Sequence, residues 1–216
     1  KAKPFPLFRE NPVDDVDKLR VIAKKHAAFN DDQMREIINA IDKAGYQQLK
    51  LFIQFMYYTL ARPIELLAMR IRDIELENNR IVIHGEDAKN WRDEYVTISP
   101  RFKEIIKQSG ILNHEPSDYI FGYHLFPGSD PHPNQGYFGK RMKKILEALG
   151  FLEKNPNYSL YGVKHSGAIA LYLATLDIFA VKEQCRHTTI QQTNDYLRDL
   201  GVIRQESPVM KWKGAI

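Results

Sequence analysis

The apolar positions of the chain fall into a succession of helical stripes, interrupted once by alternating β-branched runs. Val16, Leu19, Ile22 and Ala23 recur at helical intervals and predict a first helix. Asn30 is placed to cap a second helix while Gln33 reaches back to it, a capping-box arrangement. That stripe runs through Met34, Ile37, Ile38 and Ile41 and stops near Gly45. A strongly apolar helix follows over residues 47–60. Pro63 then stands where a new helix would start, carrying Leu66, Leu67 and Met69 towards Asp73.

The period then changes. Residues 80–84 and 94–98 are β-branched runs, which predict a hairpin with residues 85–93 as its loop. Phe102, Ile105 and Ile106 return to helix, and residues 118–122 predict a short strand. Pro and Gly residues make 127–136 a loop. Phe138, Met142, Ile145, Leu146 and Leu149 form the next stripe, opposed by Lys140, Arg141, Lys143 and Lys144. After a loop at 155–157, helices are predicted near 162–176 and 178–184. The fold class expected is mainly α with one small antiparallel β-sheet, an α+β arrangement.

Composition narrows the classes. The 44% hydrophobic and 27% charged residues exclude a disordered or fibrous chain. The longest apolar stretch, residues 49–61, is broken by Lys50 and Gln54 and is too short to span a bilayer. No signal-peptide pattern opens the chain, and a sequence starting at Lys1 is expected to be a fragment or a processed product. Cys185 is the single cysteine, which excludes an intramolecular disulfide and a cysteine-built zinc site. A reducing, cytoplasmic setting follows as the expectation. Thirty-one basic residues against 27 acidic ones, net +4, are compatible with a nucleic-acid partner without demanding one. Pro4, Pro6 and Pro12 make the first residues an extended arm, so that 1–28 reads as arm plus first helix.

Taken one at a time, the chemically interesting residues have plain structural readings. Arg62 opens a helix and can simply pair with Glu65. Lys89 lies in a hairpin loop, where most lysines are solvated. Tyr196 is one of eleven tyrosines, and His187 could be a helix cap or a surface histidine. The basic stripe Lys140–Lys144 is, by default, a solvated helix face.

Their order and spacing say more. Leu60-Ala61-Arg62-Pro63-Ile64-Glu65-Leu66-Leu67, then Asp73-Ile74 and a hairpin with Lys89, resembles the first half of a tyrosine recombinase catalytic domain. Tyr161-Gly162-Val163-Lys164 sits where that family has its His-x-x-Arg box, and Cys185-Arg186-His187 where it reads Leu-Gly-His. Tyr196 follows His187 by nine residues, the family's spacing for its nucleophile. The resemblance covers about residues 28–200, and is greatest to phage-type and mobile-element integrases of Bacteroidetes. It implies a catalytic domain over 29–200 and a tail, 201–216, that docks on a neighbouring protomer. It also implies double-stranded DNA as partner, a homo-oligomer on that DNA, a bacterial cytoplasmic location, and no cofactor, metal or membrane.

The resemblance further implies roles. Tyr196 attacks a DNA phosphodiester, giving a 3′-phosphotyrosine and a free 5′-hydroxyl. Arg62 forks onto the phosphate oxygens, Lys89 protonates the leaving oxygen, and His187 hydrogen-bonds the scissile phosphate. Two departures stand out. Lys164 keeps the charge of the family's arginine without its bidentate fork, and Tyr161 is a poor base where the family has histidine. His165, one residue beyond Lys164, lies about 100° around the helix from it and is not expected to replace Tyr161. Arg186, in place of glycine, is expected to alter the turn before His187. With a DNA-binding domain expected, Lys140, Arg141, Lys143 and Lys144 become candidates for phosphate-backbone contacts. The leading expectation is a site-specific recombinase or integrase; the alternative is a catalytically weakened DNA-binding accessory protein on the same fold.

Overall fold

A computed structural model of the chain describes residues 26–85, 93–124, 126–133 and 136–203. The predicted first helix over residues 16–23, Lys89 and most of the tail lie outside the described residues.

The expected capping box is present. Asn30 accepts from the Gln33 backbone N–H at 2.9 Å, Gln33 accepts from that of Asn30 at 2.9 Å, and α1 (Asp31–Lys43) follows. α2 (Gln47–Thr59) buries residues on almost every side, including Leu49, Phe52, Ile53, Phe55 and Met56, so it forms the centre of the molecule. Pro63 takes the first helical position of α3 (Pro63–Ala68), where its missing N–H costs nothing.

The sheet has one strand more than the hairpin predicted. β1 (Ile74–Glu75), β2 (Arg80–Ile83) and β3 (Glu94–Thr97) pair antiparallel in that order, with Ile74 opposite Ile81 and Ile81 opposite Val96. Ile81, Ile83 and Val96 point into the core, as a half-buried sheet requires. The strand expected at 118–122 is not a strand. Tyr119 makes single bridges to Arg70 and Gly128, and the chain turns after it. Ile120 and Phe121 are both fully buried, and strand alternation would have sent one of them to the opposite face.

α4 (Pro100–Gln108) and α5 (Tyr137–Ala148) add their apolar faces to α2. Phe138 stacks on Phe52 with centroids 4.0 Å apart, and Phe121 meets Phe52 and Phe55 edge-on. The short α6 (Phe151–Lys154) leads into α7 (Tyr161–Thr175), α8 (Ile178–Cys185) and α9 (Ile190–Asp199). α7 lies close on α2 because Gly167 has no side chain: a Cβ there would stand 2.1 Å from the Tyr57 carbonyl oxygen. Gln184 locks α8 in place, donating to the Tyr58 and Thr97 carbonyls at 2.7 and 3.0 Å and accepting from the Thr97 N–H. Leu60, Ala168, Val181, Cys185 and Leu197 form a second apolar cluster that seats α9 on α7 and α8. Among the described residues, no helix is long and apolar enough to cross a membrane.

Candidate active site

Arg62 is the residue before α3, so its backbone N–H is one of the unpaired donors at a helix start. Glu65 accepts that N–H at 2.6 Å and the Arg62 guanidinium, through Nη1, at 2.6 Å. The plain pairing leaves the guanidinium further N–H groups to donate and about a third of its side chain exposed. Burial alone would raise the Glu65 carboxyl, but Arg186, the Arg62 N–H and the Arg62 guanidinium together hold it below the usual range. It is a carboxylate.

α7 presents Tyr161, Lys164 and His165. Four residues along a helix turn through about 400°, so His165 lies some 40° from Tyr161 and shares its face. Their rings are 5.2 Å apart. Lys164 is 4% exposed, and burial pulls its pKa down to about 8, with Arg186 and Arg62 adding to the fall. No hydrogen bond holds its ammonium among the described residues.

Tyr196, on α9, lies between two histidines, with ring centroids 5.4 Å from both His165 and His187. Its hydroxyl is 2.8 Å from His165 Nδ1. α9 thus brings the tyrosine to His165, while Tyr161 keeps its own place beside that histidine. Burial first, then Cys185 and Tyr161, push the Tyr196 pKa above the ordinary tyrosine range. Burial likewise pulls His165 and His187 down to about 4, His187 further under the fields of Lys164, Arg62 and Arg186. Both imidazoles are neutral at pH 7. His187 Nδ1 meets the Thr193 hydroxyl at 3.0 Å, which leaves Nε2 for another partner. Burial raises Tyr161, which stays an uncharged phenol.

Arg186 closes α8 in the left-handed conformation, φ 57°, where glycine is the default. The turn before His187 is therefore kept, at a backbone cost of about 1–2 kcal/mol for a side chain in that region. The side chain, 2% exposed, runs inward between two acids. Nη2 reaches the second oxygen of Glu65 at 2.5 Å and Nε reaches Glu94 at 3.0 Å. Among the described residues, Nη1 is buried without a hydrogen-bond partner. Arg186 and His187 line a cleft of about 840 Å³ between β3 and α8.

Five of the sequence-predicted residues, Arg62, Tyr161, Lys164, His187 and Tyr196, thus come together from α3, α7, the α8–α9 turn and α9. Lys140, Lys143 and Lys144 are exposed on α5, Lys143 beside Glu147 at 3.6 Å. Arg141 lies over the Tyr137 ring at 4.0 Å. Sequence reasoning missed His165 and the inward course of Arg186. The four-residue step from Tyr161 marked the first, and an arginine at a helix end that favours glycine marked the second. Among the described residues, no group of three or more His, Cys, Asp or Glu side chains is placed to hold a metal ion.

Residues 28–200 match the phage integrase family. The chain belongs to that family. It is 24% identical over 210 residues to tyrosine recombinase XerC of Roseiflexus castenholzii, covering 88% of this chain and 60% of that protein. It is 25% identical over 191 residues to transposase A from transposon Tn554 of Staphylococcus aureus, covering 83% and 51%. The fold matches a lambda integrase dimer bound to a COC′ core site, with TM-score 0.63 and 14% identity over 86% of this chain and 51% of that one. A tyrosine recombinase catalytic-domain fold, mostly helical with a three-stranded antiparallel sheet, is thereby established. The chain spans between half and two thirds of the length of these relatives.

Proposed function

We propose that residues 29–200 are the catalytic unit of a site-specific DNA recombinase or integrase that cuts and rejoins double-stranded DNA through Tyr196. The observation that carries this reading is the gathering of a buried tyrosine, two neutral histidines and the cations Arg62 and Lys164 at one place. A DNA phosphodiester is an anion, and attack on it concentrates charge on the nonbridging oxygens, which fixed donors stabilise. Arg62 forks onto those oxygens. His187 meets those oxygens through Nε2, as a donor in the tautomer whose Nδ1 accepts from the Thr193 hydroxyl.

Tyr196 oxygen bonds to phosphorus as the bond to the 5′-oxygen breaks, and Lys89 gives that oxygen its proton. The energy of the broken ester is kept in the phosphotyrosine, so a different 5′-hydroxyl can reverse the step and exchange strands. In the DNA-free form His165 holds the Tyr196 hydroxyl. A tyrosine raised and a histidine lowered leave the proton on the phenol, so the nucleophile rests until DNA changes its surroundings. The transposase relative favours a mobile element of a bacterium, and the lambda integrase dimer bound to a core site favours a homo-oligomer on DNA. The part proposed for the tail, residues 201–216, is to pack on a neighbouring protomer.

A nicked duplex whose cleaved end diffuses away traps the covalent complex. Tyr196→Phe is expected to abolish the complex and leave DNA affinity within about threefold, since only the attacking oxygen is lost. The second reading, an accessory DNA-binding protein, is favoured by the buried Lys164 in place of a forked cation. DNA binding without any covalent complex in the parent protein would establish it.

A further inference from the structure

The mechanism above leaves Arg186 without a task. Two features of this residue work against stability: a side chain at a left-handed backbone position, and a buried guanidinium N–H with no acceptor. Neither is needed to end α8, which a glycine would do unstrained.

Its placement suggests why it is there. Glu65 holds two guanidinia, one on each oxygen: Arg62 at 2.6 Å and Arg186 at 2.5 Å. They converge on one carboxylate beside Lys164, whose ammonium feels both. Counting Arg62, Arg186 and Lys164 against Glu65 and Glu94, the cluster lacks one negative charge. A phosphodiester carries one. Lys164 offers that anion a point charge, and an arginine N–H fixed by two carboxylates would add a charged donor of set direction.

We propose that Arg186 supplies a second guanidinium for the scissile phosphate, delivered from the end of α8 and donating through Nη1 alone beside the ammonium of Lys164. This rests on the recombinase reading given above. In the DNA-free chain Glu65 and Glu94 hold the group in place by Nη2 and Nε, and Nη1 is the donor kept for the phosphate oxygen.

The test uses the intact protein and nicked duplexes with a randomised core, from which the parent's covalent complexes are selected and the preferred sequence is taken. Arg186→Gly relieves the backbone but takes one of two cations from the buried Glu65, so it should fold with a lower melting temperature. It should form covalent complex about 100-fold more slowly, the scale of one lost oxyanion donor. Arg186→Lys should recover part of the loss.

The deciding comparison replaces the scissile phosphate by a methylphosphonate, which is neutral. Parent and Arg186→Gly should then react within about threefold of each other, because the charge that Arg186 serves is gone. A gap that persists on the methylphosphonate makes Arg186 a structural residue and overturns the proposal. So does equal cleavage of the ordinary phosphate by parent and variant. If Arg186→Gly does not fold, Arg186→Gln carries the same comparison. A parent that binds DNA and forms no covalent complex on either substrate overturns the recombinase reading itself.

Discussion

A lysine shut away from water gives up its proton more easily, and Lys164 couples that fact to both stability and chemistry. Its pKa is near 10.5 in an unfolded chain and about 8 here. Between those values the unfolded chain binds a proton that the folded one does not, so this residue's contribution to stability rises as pH climbs from about 8 to about 10.5. Below pH 8 the burial costs about 3 kcal/mol, from the size of the shift. Lys164→Met should therefore raise stability at pH 7 by up to about 3 kcal/mol and change little near pH 10.5, as denaturant titrations at the two pH values would show. Covalent-complex formation should move the other way, falling above pH 8 as the ammonium is lost. Lys164→Arg should carry that fall to higher pH, because arginine keeps its proton. The histidines act on the acid side. His165 and His187 are lowered to about 4, so the unfolded chain takes up protons first and stability drops as pH falls from about 6.5 towards 4.

At the scale of elements, the site is only as well placed as α7 against α2. Gly167→Ala would put a methyl 2.1 Å from the Tyr57 carbonyl, and Gly162→Ala one 2.3 Å from that of Ala27. Backbone must move in both cases. Each should cost about 3 kcal/mol in thermal or denaturant unfolding, the upper range for overpacking. Gly139→Ala on α5 meets nothing within 4 Å and should stabilise by about 0.5–1 kcal/mol, the helix preference of alanine over glycine. The long stripes of α1, α2, α5 and α7 were legible in the sequence because each repeats its apolar spacing over several turns. β1 was not, since two residues carry no period, and Tyr119 to Phe121 mimicked a strand because aromatic and β-branched residues also suit a buried turn. In the site, the ordered landmarks placed Arg62, Tyr161, Lys164, His187 and Tyr196. The bond between His165 and Tyr196 was hidden, because it depends on how α9 is seated on α7, which neither helix encodes alone.

For the whole molecule, a net charge of +4 is modest, and attraction to DNA has to come from where the cations stand. Lys140 and Lys144 are exposed on α5 and free of the Glu147 contact that engages Lys143. If both face phosphates, replacing the pair by alanine should weaken binding to all DNA sequences alike. The slope of log affinity against log salt should fall by about 2, which salt-titrated fluorescence anisotropy would read. The resting bond between Tyr196 and His165 reaches further than the reaction. Reagents that modify tyrosine, such as iodine or sulfonyl fluorides, react through the phenolate, which burial at this position suppresses. In the free protein they should label the half-exposed Tyr95 and Tyr123 and spare Tyr196. A label appearing on Tyr196 only when DNA is added would then report that DNA occupies the site, without any recombination product being made.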